Sequence, residues 1–138
     1  MKKRIQVNTS LVAFKYANDV FKGLDHEELW ILYLNNNNEP ISFERVTSGG
    51  WTSTVIDLRQ IYSIALNHHS TGMIMFHNHL SGCCKPSESD INITRNVSKV
   101  GKILEIQLVD HIIITANGYY SFADEEVRGK VLYTMVGG

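Results

Sequence analysis

Two cysteines, two prolines, a formal charge of −1 and no long apolar run are what a sequence of 138 residues offers in the way of shortages. Each excludes something. Cys83 and Cys84 are neighbours and cannot close an ordinary structural disulfide with each other, which argues for a reducing compartment. A near-zero net charge leaves no global field to gather nucleic acid or anionic lipid, and the only basic run, Lys2-Lys3-Arg4, reads as a solvated terminus. No apolar stretch approaches the roughly 20 residues a membrane helix needs. No signal-peptide core follows the basic start. Repeats and linkers are also missing, and the four asparagines Asn35 to Asn38 are the only low-complexity tract. The expectation is a cytoplasmic protein of one domain, residues 1–138, with a single ordinary core and no membrane partner.

Against this plain background one stretch stands out, Phe76 to Asp90, reading FHNHLSGCCKPSESD. It follows the apolar run Gly72-Met73-Ile74-Met75-Phe76, which reads as a buried strand. Side chains two apart on a strand point to the same side, so His77 and His79 can face one point in space. Pro86 and Ser87 announce a helix whose third residue is Asp90. If the loop from Leu80 to Lys85 folds back, Asp90 can join the histidines. Two imidazoles and one carboxylate suit zinc, and three protein ligands leave a position for water, as catalytic sites do. Ser-x-x-Asp at a helix start is equally a capping pattern that only satisfies free backbone donors, and both readings stay open.

The remaining elements follow from periodicity. Residues 10–23 carry Ala13, Tyr16, Ala17, Val20 and Phe21 at helical spacing, with Ser10 as the cap. Residues 27–34 and 41–47 read as a hairpin around the asparagine turn. Alternation puts Glu27, Leu29, Ile31 and Tyr33 on one strand face and Glu28, Trp30, Leu32 and Leu34 on the other. Ser48-Gly49-Gly50 reads as a loop and 51–56 as a short strand. Asp57 caps a helix over 58–67, where Leu58, Ile61, Tyr62 and Ala65 share a face. His68 and His69 at its end suit the helix dipole and are left out of the site. The helix from Ser87 continues to about Ile103 with Ile93, Val97, Val100 and Leu104 inward. Residues 106–115 form a core strand, and Asn117-Gly118 signals a type I′ hairpin turn. Beyond it, residues 123–138 read as a polar turn and a short apolar segment, an extra helix or an edge strand, and the terminal Gly137-Gly138 pair carries no weight.

The spacing His77-x-His79, seven residues, Ser87, two residues, Asp90 resembles the signature of the JAMM (JAB1/MPN+) metalloprotease family. HNHLSG through PSESD, with Asp110-His111-Ile112-Ile113 and Tyr120-Ser121-Phe122, resembles its bacterial RadC-like branch, over about residues 27–122. The resemblance implies an α/β three-layer sandwich, a central mixed β-sheet flanked by helices, of JAMM/MPN-like or cytidine-deaminase-like form. It implies Zn2+ held by His77, His79 and Asp90, with Ser87 donating to an oxyanion. It also implies a glutamate on an early strand as the general base. Alignment onto the branch selects Glu27, with Glu28 as the alternative. His111 reads either as a satisfied structural histidine, the preferred reading, or as a hydrogen-bonded partner of the site. The vicinal cysteines suggest a thiolate that caps or oxidatively blocks the metal, but free cysteine more often behaves as a small hydrophobe. Where the branch usually has proline after the second histidine, this chain has Leu80, which puts loop rigidity and substrate fit in question.

The function so implied is zinc-dependent hydrolysis of a peptide or isopeptide bond in a peptide or protein substrate. A DNA-repair-associated or DNA-processing role is the runner-up, with weak DNA association. Near-neutral charge and the lack of a preceding helix-hairpin-helix segment speak against it. A silent interaction scaffold is the third reading, and a homo-oligomer stays open as a partner arrangement.

Overall fold

A computed structural model of the chain describes residues 4–48 and 56–127. Five strands form one sheet: β1 (Glu28–Leu34), β2 (Pro40–Ser48), β3 (Gly72–Asn78), β4 (Gln107–Thr115) and β5 (Gly118–Ser121). Their spatial order is β2-β1-β3-β4-β5. Only β3 and β4 run parallel, and the other neighbours are antiparallel, so the sheet is mixed as expected. Four helices flank it, α1 (Ser10–Phe21), α2 (Leu58–Asn67), α3 (Glu88–Leu104) and the short α4 (Phe122–Val127). The chain is the α/β sandwich that the sequence implied. Among the described residues no helix is long and apolar enough to cross a membrane.

Strand alternation sorts the core into two layers. On one face Leu29, Ile31, Tyr33, Met73 and Met75 meet Ile61, Tyr62 and Ala65 of α2 and Ile93 and Val97 of α3. On the other, Leu32, Leu34, Ile74 and Phe76 meet Ala13, Ala17 and Phe21 of α1. A strand buried on both sides must be apolar throughout, which is why β3 reads as a continuous apolar run. The exception at its end, His77, therefore sits on the α3 face.

Several boundaries differ from the sequence reading. Thr9, not Ser10, caps α1, its side chain accepting from Val12 N–H. The first strand begins at Glu28, leaving Glu27 just before it. Leu104 is 40% exposed instead of buried, because α3 ends at Glu105 in a left-handed conformation and the inward place is taken by Gly101. A Cβ there would stand 2.3 Å from Ile106 O, so only glycine lets the following chain pack so closely. The β4–β5 turn is not type I′, which needs positive φ at both central residues. Thr115 pairs with Gly118, and of the residues around the turn only Gly118 has positive φ. Ile112 and Ile113 continue the core, as the sequence implied. The stretch from residue 123, where the sequence left a polar turn, an extra helix or an edge strand open, begins within α4. The strand expected over 51–56 lies outside the described residues except for Ile56, as do Gly49, Gly50 and residues 128–138.

Candidate metal centre

The parallel β3-α3-β4 unit places a strand's carboxyl end beside a helix start, the usual location of ligand sites in α/β sheets. His77 is the penultimate residue of β3, and His79 follows it. The loop after them turns at Gly82, where φ is +83°, and Asn117 donates to its carbonyl at 3.3 Å, tying the loop to the β4–β5 turn. That fold-back brings in Ser87 and Asp90. Ser87 caps α3 in a full capping box: its hydroxyl accepts from Asp90 N–H at 3.1 Å, and its own N–H donates to Asp90 Oδ2 at 2.7 Å. The capping and ligand readings of this motif hold together.

The three expected ligands converge. One ligand atom from each of His77, His79 and Asp90 lies within 4.8 Å of the others, and among the described residues no other such group occurs. His77 Nε2 is 3.0 Å from His79 Nε2 and 2.8 Å from Asp90 Oδ1, while His79 Nε2 is 3.1 Å from Asp90 Oδ2. His77 and Asp90 are wholly buried, and His79 forms the rim. Asp90 Oδ1, for all its closeness to His77, receives no well-formed hydrogen bond. A buried carboxylate oxygen without a donor is costly unless a cation compensates it. Two imidazole nitrogens, one orphaned carboxylate oxygen and an open side fit a metal of the zinc type better than a purely structural cluster.

Electrostatics agree. Burial pushes the Asp90 carboxyl up, but the two imidazoles and the Ser87 N–H outweigh it and hold the group well below the usual carboxylate range. Burial pulls His77 down, only partly offset by Asp90. His79 is raised, first by its contact with Asp90 and further by the Cys83 carbonyl, against burial.

The two glutamates part company. Glu28 is buried, with Trp30 Nε1 donating to it at 2.9 Å, His26 Nε2 at 2.7 Å and the Arg45 guanidinium forming an ion pair with it at 3.6 Å. It faces away from His77 and His79 and is fully engaged. Glu27 lies on the His77 side, half-buried, and its charge acts on both His77 and His79. No hydrogen bond among the described residues engages its carboxylate. Leu29 pairs with His77 across β1 and β3, so Glu27 extends toward the level of His79.

Three residues escaped the sequence reading or were undervalued. Asn78 accepts from Glu28 N–H at 2.8 Å and donates to His26 O at 3.1 Å, bracketing Glu27 from both sides. Its position between the histidines was the only signal. His111 is buried, and its Nε2 lies 2.7 Å from His77 Nδ1, so the reading as a partner of the site replaces the preferred structural one. Thr94 lies one helical turn after Asp90, on the same face, and contacts both His111 Nδ1 and Asp90 O. Asp110, beside His111, turns to Ser121 and the backbone of Ala123 and stays outside the site. The cysteine thiols do not join the group. Cys83 contributes its carbonyl, 2.9 Å from His79 Nδ1, and Cys84 packs against the core. His68 and His69 stay outside, with His68 Nε2 3.9 Å from Glu44 and its ring against Tyr33.

Fold and side-chain group together define an α/β sandwich domain with a three-residue group able to hold a metal ion. The chain belongs to the RadC-like JAB domain family, whose model matches residues 7–127. It is similar to proteins named UPF0758, 39% identical to one from Flavobacterium johnsoniae over 122 residues, 88% of this chain and 53% of that protein. A UPF0758 protein from Porphyromonas gingivalis is 39% identical over 126 residues, 91% of this chain and 56% of its own length. One from Chlorobaculum parvum is 35% identical over 114 residues, covering 83% and 51%. The chain thus spans about half the length of the curated relatives it matches.

Proposed function

We propose that the chain is a zinc-dependent hydrolase of the JAMM type that cleaves a peptide or isopeptide bond in a peptide or protein substrate. The observation that carries this is the convergence of His77, His79 and Asp90 with a buried carboxylate oxygen lacking a donor. His77, His79 and Asp90 would hold the ion. Zinc in such a site lowers the pKa of water bound to it toward about 7 and polarises a carbonyl. Glu27, uncommitted and beside both histidines, accepts a proton from the attacking water and returns it to the leaving nitrogen as the C–N bond breaks. Ser87 accepts a hydrogen bond as the helix cap, which leaves its hydroxyl proton to donate to the developing oxyanion. A cleft of about 340 Å3 beside His79, lined by Phe21, Leu24, Leu80 and Ile114 among others, offers room for one side of the substrate.

Metal analysis of the purified protein, with chelator-sensitive cleavage of peptide and isopeptide substrates, tests this reading. Stoichiometric zinc with cleavage that chelation abolishes and zinc restores is the expected result. A protein that takes up no zinc sinks it. Salt-sensitive retention on DNA without peptide cleavage would favour the DNA-associated role instead.

A further inference from the structure

We infer that Thr94 and His111 are positioning residues that fix the tautomer of His77, holding its Nε2 lone pair toward His79 and Asp90. The inference deepens the proposed metal centre and rests on that reading for its affinity test, but its geometry comes from three buried contacts. Thr94 Oγ1 lies 2.6 Å from the Asp90 carbonyl oxygen, and two oxygens so close need a proton between them. A carbonyl carries none, so the hydroxyl donates. Having spent its one proton, Thr94 Oγ1 can only accept from His111 Nδ1, 2.5 Å away. His111, buried and neutral, then presents a lone pair at Nε2, and across 2.7 Å the proton must come from His77 Nδ1. Each contact in the row thus holds one proton, and His77 keeps none at Nε2.

The opposite tautomer would set two lone pairs against each other at 2.7 Å between two fully buried rings, an unpaired arrangement that burial makes costly. His79 reaches the same state by a shorter route, its Nδ1 donating to the Cys83 carbonyl. Both rings therefore offer Nε2 to the same point. The row also ends where it matters, on the backbone of Asp90, so β3, which carries His77 and leads into His79, and the helix that carries Asp90 are joined through β4. Packing supports the orientation, since the His111 ring stacks on Phe122 at 4.9 Å with 3° between planes.

The test pairs the ring nitrogens with zinc affinity. Long-range proton–nitrogen NMR of the metal-free wild type reads the protonation of each imidazole directly. His77 and His111 are expected to carry their protons on Nδ1. A His77 protonated on Nε2 alone would overturn the inference whatever the protein does with zinc. His111→Phe keeps a flat ring against Phe122 and removes both nitrogens, and it is expected to weaken zinc binding about 10- to 100-fold in a chelator competition. Thr94→Val is nearly isosteric and is expected to weaken it in the same direction by a smaller factor and to release His77 toward the Nε2–H form. Thr94→Ser is expected to restore both. Circular dichroism checks that each variant is folded, and if His111→Phe does not fold, the Thr94 pair decides alone. Unchanged affinity and tautomers in folded Thr94→Val would overturn the proposal. A wild type that binds no zinc refutes the hydrolase reading, while the ring protons still decide this one.

Discussion

Glu27 and Glu28 are one residue apart and have opposite fates. Strand alternation turns Glu28 onto the Trp30 face, where it is buried and hydrogen-bonded, and leaves Glu27 on the histidine face without a hydrogen-bonded partner among the described residues. The two substitutions to glutamine should therefore separate stability from chemistry. Glu28→Gln loses the charge-assisted bond to His26 and the ion pair with Arg45 and is expected to cost about 1–3 kcal/mol in urea unfolding. Glu27→Gln should leave unfolding and zinc content unchanged and reduce hydrolysis by about a hundredfold or more. If Glu28→Gln abolished cleavage in a folded, zinc-bearing protein while Glu27→Gln did not, the assignment of the base would be reversed. Asp110 makes a different prediction. Burial raises its carboxyl to about 6, against bonds from Ser121 and the backbone of Ala123 and His111. The native state then holds this proton more tightly than the unfolded chain, whose aspartate titrates near 3.9. Its contribution is fully present below about pH 4 and is lost as pH rises through about 6, roughly 3 kcal/mol in all. Unfolding measured at pH 4 and pH 7 should show that component in the wild type and not in Asp110→Asn.

The start of α3 combines two tasks at the scale of an element. Ser87 closes the helix by accepting from Asp90 N–H, and in the proposed mechanism its hydroxyl also donates to an oxyanion. Ser87→Ala should cost about 1 kcal/mol as a lost cap, and Ser87→Gly only a few tenths. If the hydroxyl also serves an oxyanion, both should lose about a hundredfold in turnover, so activity would fall without following stability. Turnover that followed stability would leave Ser87 as a cap alone. The capping box was legible in the sequence because it is local, set by residues three apart, and the ligand pattern because His77 and His79 stand two apart at a strand end and Asp90 falls in the first turn of the helix that follows. Core strands and helices were legible for the same reason, through periods of 2 and 3.6. What escaped depends on contacts far along the chain. Thr94 looks like any helix residue until β4 brings His111 against it. Asn78 gains its role only because β1 begins opposite it. Thr9 displaced Ser10 as cap when Ser10 found Tyr119 and Asp124, more than a hundred residues away. The β4–β5 turn departed from the Asn-Gly expectation because the ladder closes at Thr115 and Gly118, which puts Asn117 inside the turn and Gly118 at its exit.

At the scale of the whole molecule the two sheet faces divide the work. The α1 face is an apolar layer, while the α2–α3 face changes from apolar packing to the buried polar cluster at the carboxyl end of β3. Bringing His77, His79 and Asp90 together has a cost when no cation is bound, since a buried carboxylate oxygen is left without a donor. An ion that binds only the folded arrangement returns that cost to the stability of the entire domain. By mass action, free zinc at a hundred times its dissociation constant should stabilise the fold by about 2.7 kcal/mol. For a domain of this size each kcal/mol moves the melting temperature by about 3–5 °C, so a rise near 10 °C is expected. Asp90→Asn should remove most of the rise. The sign of its pH dependence follows from His79, whose imidazole is held protonated to higher pH by Asp90 and the Cys83 carbonyl. A proton on that ring must leave before the nitrogen can ligate, so zinc competes with protons and its stabilisation shrinks as pH falls. Scanning calorimetry with and without zinc at pH 8 and pH 5.5 should give a large shift at the higher pH and a much smaller one at the lower. Equal shifts at both, or the same shift in Asp90→Asn, would mean that zinc stabilises the protein from somewhere else.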